Sequence, residues 1–296
     1  VPKSVWRSRL TKMQNIGVNA LRLSHNPHSP ELMELADEMG FLVNAEAFDD
    51  WDRDKKKSQV YLGDNKATPE SSVSYNIHFN EWAERDLKDL IRRDFNRPSI
   101  IMWSIGNEVE WTYPYYAKSA TFKDPSHTYF EHAPDFDMDK ARKILAKNNA
   151  DKIDNLPIIA NTLAKYVKEI DTSRPVTAGL VHPSIGFASG YTDAIDIVGF
   201  NYRAPSYKTA HEMFPDKVIY GSENWGAWRE WRDVKDKEYI SGIFIWTGFA
   251  YKGEAGPMPR MGLEISLFDF AGNKTARGHF FEALWGGKPK TYVGTT

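Results

Sequence analysis

The stretch Ser99-Ile100-Ile101-Met102-Trp103-Ser104-Ile105-Gly106-Asn107-Glu108 decides the fold. Ser99 to Ser104 reads as a strand buried on both faces, because its apolar run lacks the alternation of a half-exposed strand. Just before it, Glu81 to Phe95 reads as an amphipathic helix with apolar Trp82, Leu87, Leu90 and Ile91. A helix feeding a buried strand that ends in polar residues is one unit of a parallel α/β sheet.

The same unit recurs outward in both directions. Upstream, Trp6 to Ile16 is predicted helical and stopped by Gly17, Val18 to Leu23 a strand, Pro30 to Met39 a helix stopped by Gly40, and Phe41 to Ala45 a strand. Downstream, helices are expected at Asp139–Asn148, Ile158–Ile170, Tyr207–Phe214, Trp228–Tyr239 and Ala276–Leu284. Strands are expected at Val176–Gly179, Ile195–Phe200, Val218–Gly221 and Gly242–Trp246, the last opening a buried run that continues to Tyr251. This alternation predicts a TIM (β/α)8 barrel in which seven strands are present and the first, which would precede Trp6, is missing. The 296 residues are read as one barrel domain. No dinucleotide-binding glycine fingerprint or P-loop favours the doubly wound alternative. Two long loops, Phe48–Asn80 and Val109–Pro134, follow strands, where barrels keep their function.

Composition narrows the chemistry. The net charge is −2, which favours neither nucleic acid nor an anionic membrane surface. The single basic run, Arg53 with Lys55, Lys56 and Lys57, is expected to be a solvated loop. Cysteine is absent, so disulfides, thiolate metal sites and cysteine nucleophiles are excluded. No apolar run approaches the ~18 residues of a membrane span. Aromatic residues reach 14%, and a minority of them placed in loops suits a carbohydrate cleft, since sugar rings stack their C–H faces on aromatic side chains.

In a barrel the site lies at the carboxyl ends of the strands. Glu108 follows one strand and Glu223 another, and strands on opposite sides of one mouth would bring them face to face. Glycoside hydrolysis needs such a pair, one group to protonate the leaving oxygen and one to attack the anomeric carbon or activate water. Capping or salt-bridging is the plain alternative for both acids. Arg22, His25 and Asn26 end the first visible strand; Glu46, Asp49, Asp50 and Trp51 follow the second. Asn201 and Tyr202 end the fifth, Trp225 follows Glu223, Trp246 closes the last, and His182 follows the strand containing Thr177. His25 and His28 flank Pro27 without a regular helix, a poor metal pair.

The segment from Asn96-Arg97-Pro98 to Asn107-Glu108 closely resembles the acid/base signature of glycoside hydrolase family 2, and Gly17–Pro27, Ala36–Val43 and Phe281–Trp285 resemble other parts of that family's barrel. The resemblance implies a retaining, exo-acting β-glycosidase, foremost a β-galactosidase, with β-glucuronidase, β-mannosidase and β-glucosidase as alternatives. It implies Glu108 as acid/base, Glu223 as nucleophile, Asn107 on the sugar 2-hydroxyl, Tyr202 orienting the nucleophile, Arg22 and His25 near the sugar, and Trp246 as its platform. Glu46, Asn201 and Trp225 complete the expected substrate-binding set. No cofactor is required; Mg²⁺ or Na⁺ occurs in relatives without a ligand set evident here. β-Sandwich domains of a longer parent chain, and a bacterial periplasmic or extracellular location, follow from family habit. The sequence departs from the family at Ala45-Glu46-Ala47, where Asp-Glu-Ala is usual, and after Glu223, where Asn224-Trp225-Gly226 replaces the His-bearing segment of bacterial β-galactosidases. A barrel that binds carbohydrate without hydrolysing it, and a metal-dependent hydrolase, are the competing classes.

Overall fold

The computed structural model describes residues 1–55, 74–113, 135–148, 155–251 and 265–294. Seven parallel strands form one sheet in chain order: β1 Ala20–Leu23, β2 Leu42–Glu46, β3 Ile100–Asn107, β4 Val176–Leu180, β5 Ile197–Asn201, β6 Val218–Asn224 and β7 Ile240–Ile245. Each pairs with the next, and the sheet curls until β1 approaches β7, giving a nearly closed barrel. The expected barrel with seven of its eight strands is therefore what forms.

Helices cover the outside. The first two are α1 Lys3–Asn15 and α2 Pro30–Met39. The Ser29 hydroxyl caps α2 by accepting from the Leu32 N–H, Pro30 starts it, and Gly40 ends it at a φ of 76°, while Leu32, Met33, Leu35 and Ala36 face the core. Helix α3, Asn76–Asp94, buries Phe79, Ala83, Leu87, Leu90 and Ile91, which share one face at the helical repeat. Next come α4 Met138–Asn148, α5 Asn155–Lys168, α6 Pro183–Ser189, α7 Tyr207–Met213 and α8 Trp228–Arg232. Helix α9, Ala276–Trp285, closes against the end of α1: a Cβ on Gly17 would lie 2.2 Å from the Trp285 carbonyl oxygen.

Two expectations are corrected. The Trp228–Tyr239 helix stops at Arg232, and Asp236, four residues on, takes a left-handed φ of 60° that a continuing helix does not allow. The run through β7 is only half-buried beyond Ile240, because β7 ends the sheet and its flank opens into a cavity instead of a neighbouring strand. At the barrel's amino end, the Asp171 carboxylate accepts from the Trp103 indole at 2.9 Å and Arg174 at 2.7 Å, tying β3 to the turn before β4. In the middle, the Tyr220 hydroxyl accepts from the Asn44 amide at 2.9 Å, and Thr177 lies 3.2 Å from it. This polar floor, linking β2, β4 and β6, lies beneath the mouth.

Candidate active site

The register stacks functional side chains at the carboxyl ends. Arg22 is level with Asn44, Glu46 with Ser104, Asn107 with Gly179 and Asn201 with Glu223. A cavity of about 1900 Å³, which also runs along the barrel flank to Ala20, Leu42 and Val218 at the strand starts, opens there, lined by Glu108 and Glu223 together with Arg22, His25, Asn107, Tyr202, Trp225 and Trp246. Glu46 and Asn201 are fully buried just behind this lining. All ten residues expected at the site therefore come together, and His28 also lines the cavity.

Arg22 is the hub. Its guanidinium grips the Glu46 carboxylate at 2.8–3.1 Å, donates to Glu223 Oε1 at 2.6 Å and to Asn107 Oδ1 at 2.8 Å. Only a glycine at position 179 leaves room for this: a Cβ there would lie 2.8 Å from Arg22 Nη2 and 2.9 Å from Asn201 Oδ1. Burial opposes ionisation of Glu46, but Arg22, His25 and Ser104 outweigh it and hold the carboxylate below its usual range. Two serines lock this arrangement: Ser104 donates to Glu46 at 2.6 Å, and Ser222 donates to Asn201 Oδ1 at 2.5 Å. Ser222 thereby fixes the Asn201 amide, whose nitrogen donates to Asn107 Oδ1 and to Glu108 Oε1, both at 3.0 Å. A continuous chain, Glu108–Asn201–Asn107–Arg22–Glu223, links the two acids.

The acids sit in different surroundings. Glu223 is buried and accepts from Arg22 and from the Tyr202 hydroxyl, each at 2.6 Å. Burial, then the Glu223 charge, raises the Tyr202 phenol well above its normal range, so it remains a donor. Glu108 has a left-handed backbone, φ 44°, and one amide donor. Burial first and the Glu223 charge second push its carboxyl up to about 7, while Lys55 and the Asn201 bond pull the other way. A carboxyl with a raised proton affinity beside a second carboxyl is the arrangement that acid/base work needs. Glu110 shows the contrasting case: it caps the Val181 and His182 N–H groups and is fully buried.

Aromatic surfaces flank the acids. The His25 ring stacks on Trp246 with centroids 5.2 Å apart and nearly parallel planes. His25 Nδ1 lies 2.5 Å from Glu46, and Nε2 lies 3.2 Å from the Asn107 amide nitrogen. Trp246 donates to the Tyr251 hydroxyl at 3.2 Å, and Trp225 packs on Tyr202 at 4.4 Å. Of the loop aromatics, Trp111 lines the cavity, while Tyr113 is buried beneath Arg53; Tyr115, Tyr116 and Tyr129 lie outside the described residues. His182 is buried, and its backbone N–H donates to Glu110.

The basic run is the main correction. Arg53 lies over the Tyr113 ring, 4.4 Å from its centroid. Lys55 turns into the cavity, with Nζ 2.6 Å from Asp49 and 2.5 Å from the Asn107 carbonyl. Lys56 and Lys57 lie outside the described residues. A charge run reads as solvated because lysine burial needs a partner; the partner here, Asp49, is six residues back on the same loop. Among the described residues no cluster of three or more His, Cys, Asp or Glu side chains is arranged to hold a metal ion.

Glu108 and Glu223 thus both line one cavity at the mouth of a parallel barrel. The family model of the glycosyl hydrolases family 2 TIM barrel domain matches residues 2–128, a span that includes the β3 signature. The beta-galactosidase BoGH2A of Bacteroides ovatus is 30% identical, the match covering 92% of this chain and 35% of that protein. A beta-glucuronidase of Felis catus is 24% identical over 86% of this chain and 36% of its own length. The crystal structure of a glycosyl hydrolase family 2 member from Bacteroides cellulosilyticus superposes with a TM-score of 0.68 at 27% identity, covering 96% of this chain and 30% of that one. The chain thus spans about a third of the length of the proteins it resembles.

Proposed function

We propose that this barrel hydrolyses a β-glycosidic bond by two successive displacements, with a β-galactoside as substrate. The observation that carries the reading is the pair Glu108 and Glu223, tied into one hydrogen-bonded chain at the barrel mouth, with the Glu108 carboxyl pushed up to about 7 by burial and by the Glu223 charge.

In the first step the protonated Glu108 carboxyl gives its proton to the glycosidic oxygen as the bond from that oxygen to the anomeric carbon breaks. A Glu223 oxygen forms the new bond to that carbon, giving a glycosyl ester. In the second step Glu108, now a carboxylate, takes a proton from water. The resulting oxygen attacks the anomeric carbon and the ester bond breaks, returning both acids to their starting states. Arg22 and Tyr202 aim the nucleophile. Asn107, held through its oxygen by Arg22 and Asn201 and through its amide nitrogen by Asp49, lies beside the acids, where the sugar 2-hydroxyl would bind. Trp246 supplies the stacking face.

The galactoside preference is supported by the name of the Bacteroides ovatus relative. The further domains of the parent chain would pack around the barrel, in keeping with the small share of each relative that it covers. A 2-fluoro β-galactoside bearing a good leaving group tests the mechanism in the full-length protein: the expected product is an ester on Glu223. A label on another residue reassigns the nucleophile, and turnover with inverted anomeric configuration refutes the double displacement.

A further inference from the structure

Beside the two acids lies an ion pair that the proposed hydrolysis leaves without a task. The side chains of Lys55 and Asp49 are only 11% and 20% exposed, yet both line the cavity alongside Glu108. Lysine heads at a protein rim normally stay in water, because desolvating an ammonium is costly unless it is paired. Lys55 is instead drawn inward by Asp49 Oδ1 at 2.6 Å and the Asn107 carbonyl at 2.5 Å. The same Asp49 oxygen accepts from the Asn107 amide at 3.1 Å. Asn107 therefore anchors the pair at both its carbonyl and its side chain, one residue before Glu108.

An ammonium has three donors, and two are used here. The third is left for the cavity. A hydroxyl is the group that suits such a pair, since it accepts from the ammonium while donating to the carboxylate. A carboxylate ligand is the group that does not, since it has no proton to offer Asp49 and would also meet the charge of Glu223. From this geometry we infer that Asp49 and Lys55 are a hydroxyl-reading pair, which positions a neutral pyranose in the mouth and discriminates against a uronic acid. The inference rests on the glycosidase reading and adds the class of sugar and the residues that select it.

The test uses the full-length protein with 4-nitrophenyl β-galactoside, its 3-, 4- and 6-deoxy analogues and 4-nitrophenyl β-glucuronide. A hydrogen bond to a charged group commonly accounts for about 10–100-fold in such comparisons. Lys55→Met is expected to lower kcat/KM on the parent galactoside by roughly that factor, but only about two- to threefold on the one deoxy sugar that lacks the hydroxyl being read. Lys55→Arg should recover part of the loss, and Asp49→Asn should narrow the preference for galactoside over glucuronide. Equal losses from Lys55→Met on every sugar, with melting temperature unchanged, would make the pair merely structural and overturn the inference. So would a glucuronide preference in the unsubstituted protein. If the unsubstituted protein labels Glu223 and turns over while these substitutions are additive, the pair fails and the hydrolase reading stands; if no glycoside is turned over, both fail.

Discussion

Glu108→Gln should stabilise the fold, and by an amount that grows with pH. The folded carboxyl is pushed from 4.5 up to about 7 by burial and by Glu223. Below pH 4.5 it is protonated in both the folded and the unfolded chain and contributes nothing. Between 4.5 and 7 the unfolded chain ionises first, so each rise in pH favours unfolding. Above 7 the penalty is complete. A rise of about 2.5, at ~1.4 kcal/mol for each pH unit, comes to about 3 kcal/mol. Glutamine keeps an oxygen to accept from Asn201 but has no proton to lose, so it escapes this penalty. Urea titrations of the full-length protein and the variant, followed by tryptophan fluorescence at pH 4.5, 6 and 8, measure the difference directly. The expected result is near equality at the lowest pH and an advantage of about 1–3 kcal/mol for the variant at the highest, with neighbouring charges absorbing part of the full value. A difference that stays flat, or one that shrinks as pH rises, would refute the claim that Glu108 is held protonated by its surroundings.

Other outcomes follow from the same contacts. Tyr202→Phe removes a 2.6 Å donor to Glu223 and should lower kcat about 10–100-fold with little change in KM, read from steady-state kinetics. Arg22→Met strands the buried Glu46 and Glu223 carboxylates together and should cost about 3–5 kcal/mol in chemical denaturation. Glu108→Ala should slow glycosides with poor leaving groups far more than activated aryl glycosides; equal losses would argue against its acid role. Trp246→Ala removes the stacking surface and should raise KM roughly tenfold, with a smaller effect on kcat.

The strands were legible because buried parallel strands are short apolar runs, and the ends of those runs pointed to the acids. Boundaries moved outward where polar residues still paired: β3 runs on through Gly106-Asn107, and β6 through Ser222-Glu223-Asn224, so the nucleophile candidate lies within its strand. Helix α6 went unread because Pro183, Ser184 and Gly186 resemble a loop. Lys55 went unread for a different reason. A solvated lysine and a buried one look alike until the chain folds back to supply the carboxylate. Ser104 and Ser222 are similar: small strand residues show their role only through the groups opposite them.

The flank where β1 approaches β7 carries a consequence for the chemistry itself. The cavity that serves the acids also reaches Leu21, Ile243 and Ile245 along that flank. Whatever occupies it governs how much water stands behind Arg22, and the attraction between two ions weakens steeply as solvent enters. A segment closing the gap would dry the guanidinium and its carboxylates from the rear, sharpening their mutual hold without touching the sugar. The strength of the Arg22 grip on Glu46 and Glu223 would then depend on the side of the barrel as well as on its mouth.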